Sequence, residues 1–406
     1  MSVSSTALPR LGNTQPIPLG EIPIVDFDDF RDLLVGELSY GGRLSALFAK
    51  PDGSSDKLQM FAVVGQPQDG TITVFQTTVG DSYPSLTPLV PAAQGFEREM
   101  AEQWGVVPER HPWFRPLRYH RAYRAGRDAW NRPAEEATLP AVSNFFRIDG
   151  KEVHEVAVGP IHAGVIEPGH FRFSCYGEIV HHLEIALGYQ HRGIERALRG
   201  GPNKRTIHYM ETLSGDASIG HAIAYCQLLE ALAGVEAPIQ AQAVRGIAAE
   251  LERLANHVGD LGALALDVAY LPTSSYCGRL RGDFLNASAA ICGSRFGRGL
   301  VRPGGTAFDV DANLAGSLVE RLTQPLLDTK SATDLMWSST STVARFEDCC
   351  PVKQEDALAL GLVGMAARSC GIDVDVRRDF PTGIYRFAQV PVSTVKSGDV
   401  YARALL

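Results

Sequence analysis

Residues 240–271 read QAQAVRGIAAELERLANHVGDLGALALDVAYL, and their spacing decides the fold of the larger half of the chain. Val244, Ile247, Leu251, Leu254 and Val258 recur at steps of three and four, with Glu250, Glu252 and Arg253 among them. That period stacks the apolar side chains on one face of a helix and turns the charged ones away. Helical spacing recurs over His221–Ala233, Leu314–Leu327 and Gln354–Ser369. His181–Gly200 is expected to be a further helix, ended by the stop signal Gly200-Gly201-Pro202. Residues 151–406 are therefore predicted to form a mainly helical bundle with loop insertions.

Toward the N-terminus the period changes. Ser45–Phe48, Gln59–Val64 and Thr71–Thr77 have the length and composition of strands, with turn signals at Pro51-Asp52-Gly53 and Asp69-Gly70. Asp26–Val35 suits a helix capped by Asp26, and Pro91–Trp104 suits another. Residues 21–118 thus read as a small α/β domain and residues 1–20 as a tail or an arm lying on a neighbour. The fold class expected is α+β. Residues 119–150 read as a linker. From Arg110 to Arg132 the chain carries seven arginines and one acid, with Trp113, Phe114, Tyr119, Tyr123 and Trp130 interspersed. Either these arginines meet an acidic partner, or they pair with carboxylates of the following domain or of a neighbouring subunit, the plainer reading in an acidic chain.

The chain has 406 residues, a net charge of -8 and 45% hydrophobic residues, ample for packed cores and too acidic to suggest a nucleic-acid partner. Its seven cysteines all lie after residue 170, and no two stand in a CxxC spacing. That excludes a secreted disulfide framework, a zinc knuckle and an iron–sulfur cluster held by this chain alone. No apolar run has the length of a membrane span, no signal peptide opens the chain, and no nucleotide-binding fingerprint is present.

Polar residues capable of acid–base work gather in a few places. Gly159–Arg172, GPIHAGVIEPGHFR, sets His162, Glu167, His170 and Arg172 among glycines and prolines. Such a loop presents acid–base groups at a cleft, or else is a hairpin edge with solvated side chains. In His191-Arg192-Gly193-Ile194-Glu195 the spacing of Arg192 and Glu195 permits a local ion pair at a helix end. In the segment from Glu211 to His221, positions 214, 217 and 221 are spaced to share one helix face. Thiols at the first two with His221 would make a soft transition-metal site. The residues present are Ser214 and Ala217, so no metal site is predicted there, while Asp216 and His221 retain the chemistry to move protons. The plainer alternative makes Ser214 a helix cap and His221 a packing residue. Arg295–Gly305 is a cationic, turn-rich loop suited to phosphate or to a subunit boundary.

Together these segments resemble one family. Residues 83–117 resemble the signature of the 30-kDa-type subunit of respiratory complex I, with Glu97-Arg98-Glu99, Glu102, His111, Arg115 and Leu117 at signature spacing and Gln103 departing from it. Residues 159–406 resemble the 49-kDa-type subunit through GPIH, HRGIE, AELERLANH, GSRFGRGLVRPGG and RSCGIDVDVRRD. The chain is similar to a fusion of the two, and most similar to the large subunit of energy-converting hydrogenases of the formate hydrogenlyase group. In nickel–iron hydrogenases Ser214 and Ala217 would be cysteines, and the family normally continues beyond Leu406. The resemblance therefore implies a large hydrophilic subunit without a nickel–iron centre, incomplete at its C-terminus and active only in an assembled complex at the cytoplasmic face of the membrane. Partners implied are an iron–sulfur small subunit, other hydrophilic-arm subunits and antiporter-like membrane subunits. The cluster would sit in the partner, and a quinone would be the candidate ligand of the shared cavity. His162, Glu167, Glu195, Asp216 and His221 would relay protons there, and Arg192 would stabilise negative charge. The complex I quinone-site tyrosine has no counterpart in Glu211–His221, with Tyr209 near but displaced. An active hydrogenase subunit and a non-catalytic scaffold are the alternatives.

Overall fold

The computed structural model describes all residues except 1–7, 54–55, 134, 136–137, 139–144 and 163–166. Those gaps take in the start of the tail, part of the 119–150 linker and the middle of the Gly159–Arg172 loop. The α+β expectation holds. The first part is a four-stranded antiparallel sheet of β1 (Arg10–Gly12), β2 (Arg43–Pro51), β3 (Leu58–Gln66) and β4 (Thr71–Val79), in the order β1-β4-β3-β2. Each sequence-predicted strand lies inside an observed one. α1 (Phe27–Ser39) starts after Asp26, which has the extended N-cap conformation without a side-chain cap bond. The sheet and α1 close over Phe30, Leu34, Leu47, Leu58, Met60 and Phe75, and α2 (Gln94–Trp104) adds Met100.

Residues 10–12, expected to belong to a tail or to an arm lying on a neighbour, join the sheet of their own chain. β1 pairs with β4 at Arg10↔Thr73, Leu11↔Ile72 and Gly12↔Thr71, so the backbone hydrogen bonds of the arm are satisfied within its own sheet. Arg10 reaches Glu37 of α1 at 2.8 Å. β5 (Ser82–Pro84) and β6 (Val107–Glu109) pair in parallel on either side of α2.

The second part opens with an antiparallel sheet of β7 (Val153–Val158), β8 (His170–Tyr176) and β9 (Ile179–Ala186). Here the predicted helix His181–Gly200 is wrong. Leu183 and Ile185 alternate with His182 and Glu184, and that period of two puts Leu183 opposite Phe173 and Ile185 opposite Phe171. A full helical turn appears only at α3 (Ile194–Ala197), after Gly193 with φ 67°. Next come α4 (Thr206–Met210) and α5 (Ser218–Ala233).

The apolar stripe quoted above forms α6 (Ile239–Asp267), which buries Val244, Leu251, Ala255 and Val258. The predicted helix ran on to Leu271. The chain instead turns at Ala269, with φ 56°, and Leu271 begins α7 (Leu271–Cys292). The two helices approach closely because Gly262 has no side chain: a Cβ there would stand 3.1 Å from the Cβ of Cys277. β10 (Val301–Arg302) and β11 (Gly305–Thr306) form a short ribbon before α8 (Ala312–Trp337), which packs on α7 and extends well beyond the predicted Leu327. Leu280, Phe284 and Val258 make the core between α6 and α7. Gln354–Ser369 is two short helices, Gln354–Ala359 and Gly364–Arg368, separated by a turn with Gly361 at φ 67°. No helix among the described residues is long and apolar enough to cross a membrane.

Candidate functional site

The signature residues of α2 build a loop. Glu97 is buried and accepts hydrogen bonds from Ser85 Oγ, from the amides of Leu86 and Thr87 and from Thr87 Oγ1. Glu102, also buried, accepts from the amides of Leu117, Arg118, Tyr119 and His120. Arg98 donates to the carbonyls of Arg115 and Pro116 and lies over the Trp113 ring. A carboxylate that collects several N–H groups holds backbone in place far more tightly than an exposed ion pair does. These side chains are anchors, and what they anchor is the turn that carries Arg115 and Arg118 into the second part of the chain.

The arginine-rich segment then pairs as the plainer reading expected in part, and in part differently. Arg115 reaches the buried Glu184 of β9 at 2.5 Å, and Arg118 reaches Glu195 of α3 at 3.3 Å. Arg118 also bonds Glu99, and Arg124 and Arg127 turn back to Asp56 and Asp81. The backbone at Leu117 comes so near Gly188 that a Cβ there would stand 2.2 Å from the Leu117 carbonyl oxygen. Glycine at 188 is what admits the loop.

Around that contact lies a pocket of about 320 Å³, lined among others by Arg118, Glu167, His191, Arg192 and Glu195. It is at the small end of ligand-sized clefts. Arg192 and Glu195 do not pair with each other as their spacing allowed. Gly193 in the left-handed conformation turns the chain between them, and their partners differ. Arg192 Nη2 faces Glu167 Oε1 at 3.9 Å, and Arg192 Nη1 donates to the carbonyls of Thr212 and Leu213. Glu195 faces Arg118. Both Arg192 and Glu167 are more than two fifths exposed, so their pair contributes at most about 1 kcal/mol to stability and is free to rearrange around a ligand. In sequence His191 stands out only as the first residue of the HRGIE motif. Its ring stacks on His120 with centroids 5.3 Å apart. Burial and the neighbouring Arg118 and His120 hold His191 below the ordinary imidazole range, which favours its neutral form.

The other predicted residues lie elsewhere. His162 Nε2 is 2.7 Å from the Gly169 carbonyl and its ring meets Phe171 edge-on. Helix α5 begins only at Ser218, so Ser214 lies in a bend and Ala217 is the N-cap, and the three positions 214, 217 and 221 do not share a helix face. Ser214 is no cap either. The amides of Ile219 and Gly220 are capped from α6, by the Glu252 carboxylate at 2.7 and 3.0 Å. Asp216 pairs with Arg281 at 3.1 Å rather than with His221, and burial holds His221 below the usual range. Among the described residues His162, Asp216 and His221 do not line the 320 Å³ pocket. Glu211, buried, accepts from the Gly299 amide at 2.6 Å, which fixes the cationic loop Arg295–Gly305 against α4. The Gly304 amide of the same loop bonds Glu230 of α5, which also pairs with the buried Arg245 of α6.

Ser214 and Ala217 offer no thiolate, and Cys226, the cysteine of α5, sits in the core with its thiol pushed up to about 11 by burial. A larger cavity of about 1070 Å³ lies between the two parts. It brings Arg253 and His257 of AELERLANH to Arg368, Asp373, Asp375 and Arg377 of RSCGIDVDVRRD. Both motifs were recognised, but their meeting was not foreseen, since contact between segments so far apart leaves no mark in local spacing.

Comparison with known proteins bears on both parts. Residues 40–127 match the family of the respiratory-chain NADH dehydrogenase 30 Kd subunit, and residues 267–406 that of the 49 Kd subunit. The C/D-type NADH-quinone oxidoreductase subunit of Bdellovibrio bacteriovorus is 27% identical over 82% of this chain and 61% of its own length. The D-type subunit of the NADH-quinone oxidoreductase of Clostridium beijerinckii is 33% identical over 58% of this chain and 63% of its own length. Formate hydrogenlyase subunit 5 of Escherichia coli is 28% identical over 89% of this chain and 66% of its own length. The chain thus spans under two thirds of the length of these relatives.

Proposed function

We infer, from the premise that the chain belongs to the complex I-type family in which 30-kDa-type and 49-kDa-type subunits are fused, that it works as the large hydrophilic subunit of a membrane-associated redox complex. Its relatives are subunits named for NADH-quinone oxidoreductase and for formate hydrogenlyase. Residues 21–118 and 151–406 are taken as its two working parts, joined by 119–150. The pocket of Arg118, Glu167, Arg192 and Glu195 is assigned as the end of a proton- or quinone-linked cavity that is completed by an iron–sulfur partner subunit.

One observation carries this reading. Two carboxylates and two guanidiniums from three separate stretches of sequence converge on one pocket, and the 30-kDa-type part supplies one of them. A quinone bound there would supply the electron acceptor. The residues of this chain do the rest. Arg192 and Arg118 favour negative charge at the ligand oxygens. Glu167 and Glu195, each beside a guanidinium, hold or pass protons at their Oε1 atoms, and the neutral form of His191 accepts one. His162, Asp216 and His221 are assigned to the path by which protons reach the pocket. The cytoplasmic face of the membrane is the proposed location.

The test is electron transfer in the assembled complex. Glu195→Gln and Arg192→Met should each lower turnover by about 10²-fold while leaving assembly intact. Unchanged turnover would favour a scaffold role. The relatives named for hydrogenase subunits support a second reading as a hydrogenase subunit. Nickel near one equivalent in the purified complex, bound to this chain, would establish it.

A further inference from the structure

The loop after the short helix Thr340–Val343 carries Cys349 and Cys350 side by side. In an extended chain successive side chains point to opposite sides of the backbone. Here Asp348 and Cys350 both take positive φ, 55° and 49°, conformations unusual for residues with a side chain. The result is that the two Sγ atoms stand 4.0 Å apart, with Cys349 donating to Cys350. Cys350 is exposed and Cys349 half-buried. The loop is held in this shape from the C-terminal helix Val400–Leu405. Val400 N donates to the Cys349 carbonyl at 3.0 Å, Arg403 Nη2 to the Cys350 carbonyl at 3.4 Å, and the Asp348 amide donates to Asp399 Oδ2 at 3.0 Å. The guanidinium of Arg403 therefore holds the backbone that carries the thiol pair.

We propose that Cys349 and Cys350 form a vicinal dithiol that exchanges with low-molecular-weight disulfides and closes reversibly into an intrachain disulfide. The Cys350 thiolate, exposed and receiving the Cys349 S–H, attacks a disulfide RS–SR. A Cys350–SR mixed disulfide forms and RS⁻ leaves. The Cys349 thiolate then attacks Cys350 Sγ, the Cys350–SR bond breaks and a second RS⁻ leaves. The chain loses two protons and two electrons, and the disulfide is reduced to two thiols. The raised pKa of Cys349, caused chiefly by its hydrogen bond to Cys350, fits the order in which Cys350 reacts first. A ring between adjacent residues is strained, so the bond is of the labile, readily reduced kind.

The experiment takes the full reduced chain, oxidised glutathione and intact-mass analysis with peptide mapping. Two of the seven thiols should disappear, with a mass loss of about 2 Da located in the tryptic peptide 346–353 and reversed by dithiothreitol. Cys349→Ser should stop the reaction at a glutathione adduct on Cys350. Phenylarsine oxide, which needs two neighbouring thiols, should bind the wild-type chain one to one, and both Cys349→Ser and Cys350→Ser should lose that binding. A stable glutathione adduct on the wild-type chain without ring closure, or first loss of thiols at other cysteines, would overturn the proposal. So would arsenical binding that survives both substitutions.

Discussion

Glu195 and Glu184 show how two glutamates of one neighbourhood come to different work. Glu184 is buried on β9, bonded to Arg115 and to the Phe146 amide, and has no freedom left. Glu195 stands nearly half exposed beside Arg118, at the rim of the pocket. Replacing Glu184 by Gln should cost about 2 kcal/mol, because it removes the charge of a buried carboxylate that accepts from Arg115 and from the Phe146 amide, and thermal unfolding measures it. Replacing Glu195 by Gln should leave the stability within about 0.5 kcal/mol of the parent and act on turnover instead. Histidines add a pH signature. His111, His191, His221 and His257 are all held below the ordinary imidazole value, with burial the first cause in each. The unfolded chain therefore binds protons before the folded one. Their contribution is fully present above about pH 6.5 and is lost as pH falls through the lower folded values. Melts from pH 8 to pH 5 should show that decline, and His257→Gln should flatten it. A melting temperature that holds constant across the range would contradict this account.

At the scale of elements, the buried pair Arg245–Glu230 ties α5 and α6 to the turn between β10 and β11. Arg245 also donates to the carbonyls of Arg302 and Gly305, and Glu230 accepts from the Gly304 amide. Glu230→Gln should therefore destabilise the protein by about 3–5 kcal/mol in urea titrations. A loss below about 1 kcal/mol would show the pair to be peripheral. This scale also explains what the sequence disclosed. α6 was legible because a long helix with one apolar stripe has a single solution. The strands β2, β3 and β4 were legible through their turns. β9 was misread as helix because Ile179–Ala186 mixes apolar residues with two histidines and a glutamate, and its period of two becomes visible only opposite β8. The capping of α5 by Glu252 was hidden for the same reason, since the cap is supplied by another helix. In the pocket, Glu167, Arg192 and Glu195 were named from the sequence, but the partners of Arg192 and Glu195 were not. A one-residue left-handed turn at Gly193 separates two side chains that linear spacing had joined.

For the whole molecule, the central claim is that this chain acts inside an assembly. Arg118, within the stretch that matches the 30 Kd subunit family, reaches Glu195 in the pocket lined by Glu167 and Arg192, and the proposed assembly has a partner subunit complete that pocket. The decisive measurement is affinity purification of the tagged full chain from gently solubilised native membranes, with mass spectrometry and iron analysis of what elutes. The expected result is a stable complex containing an iron–sulfur small subunit and antiporter-like membrane subunits, with cluster iron present. Elution of the chain alone and iron-free, from cells that make those partners, would contradict it.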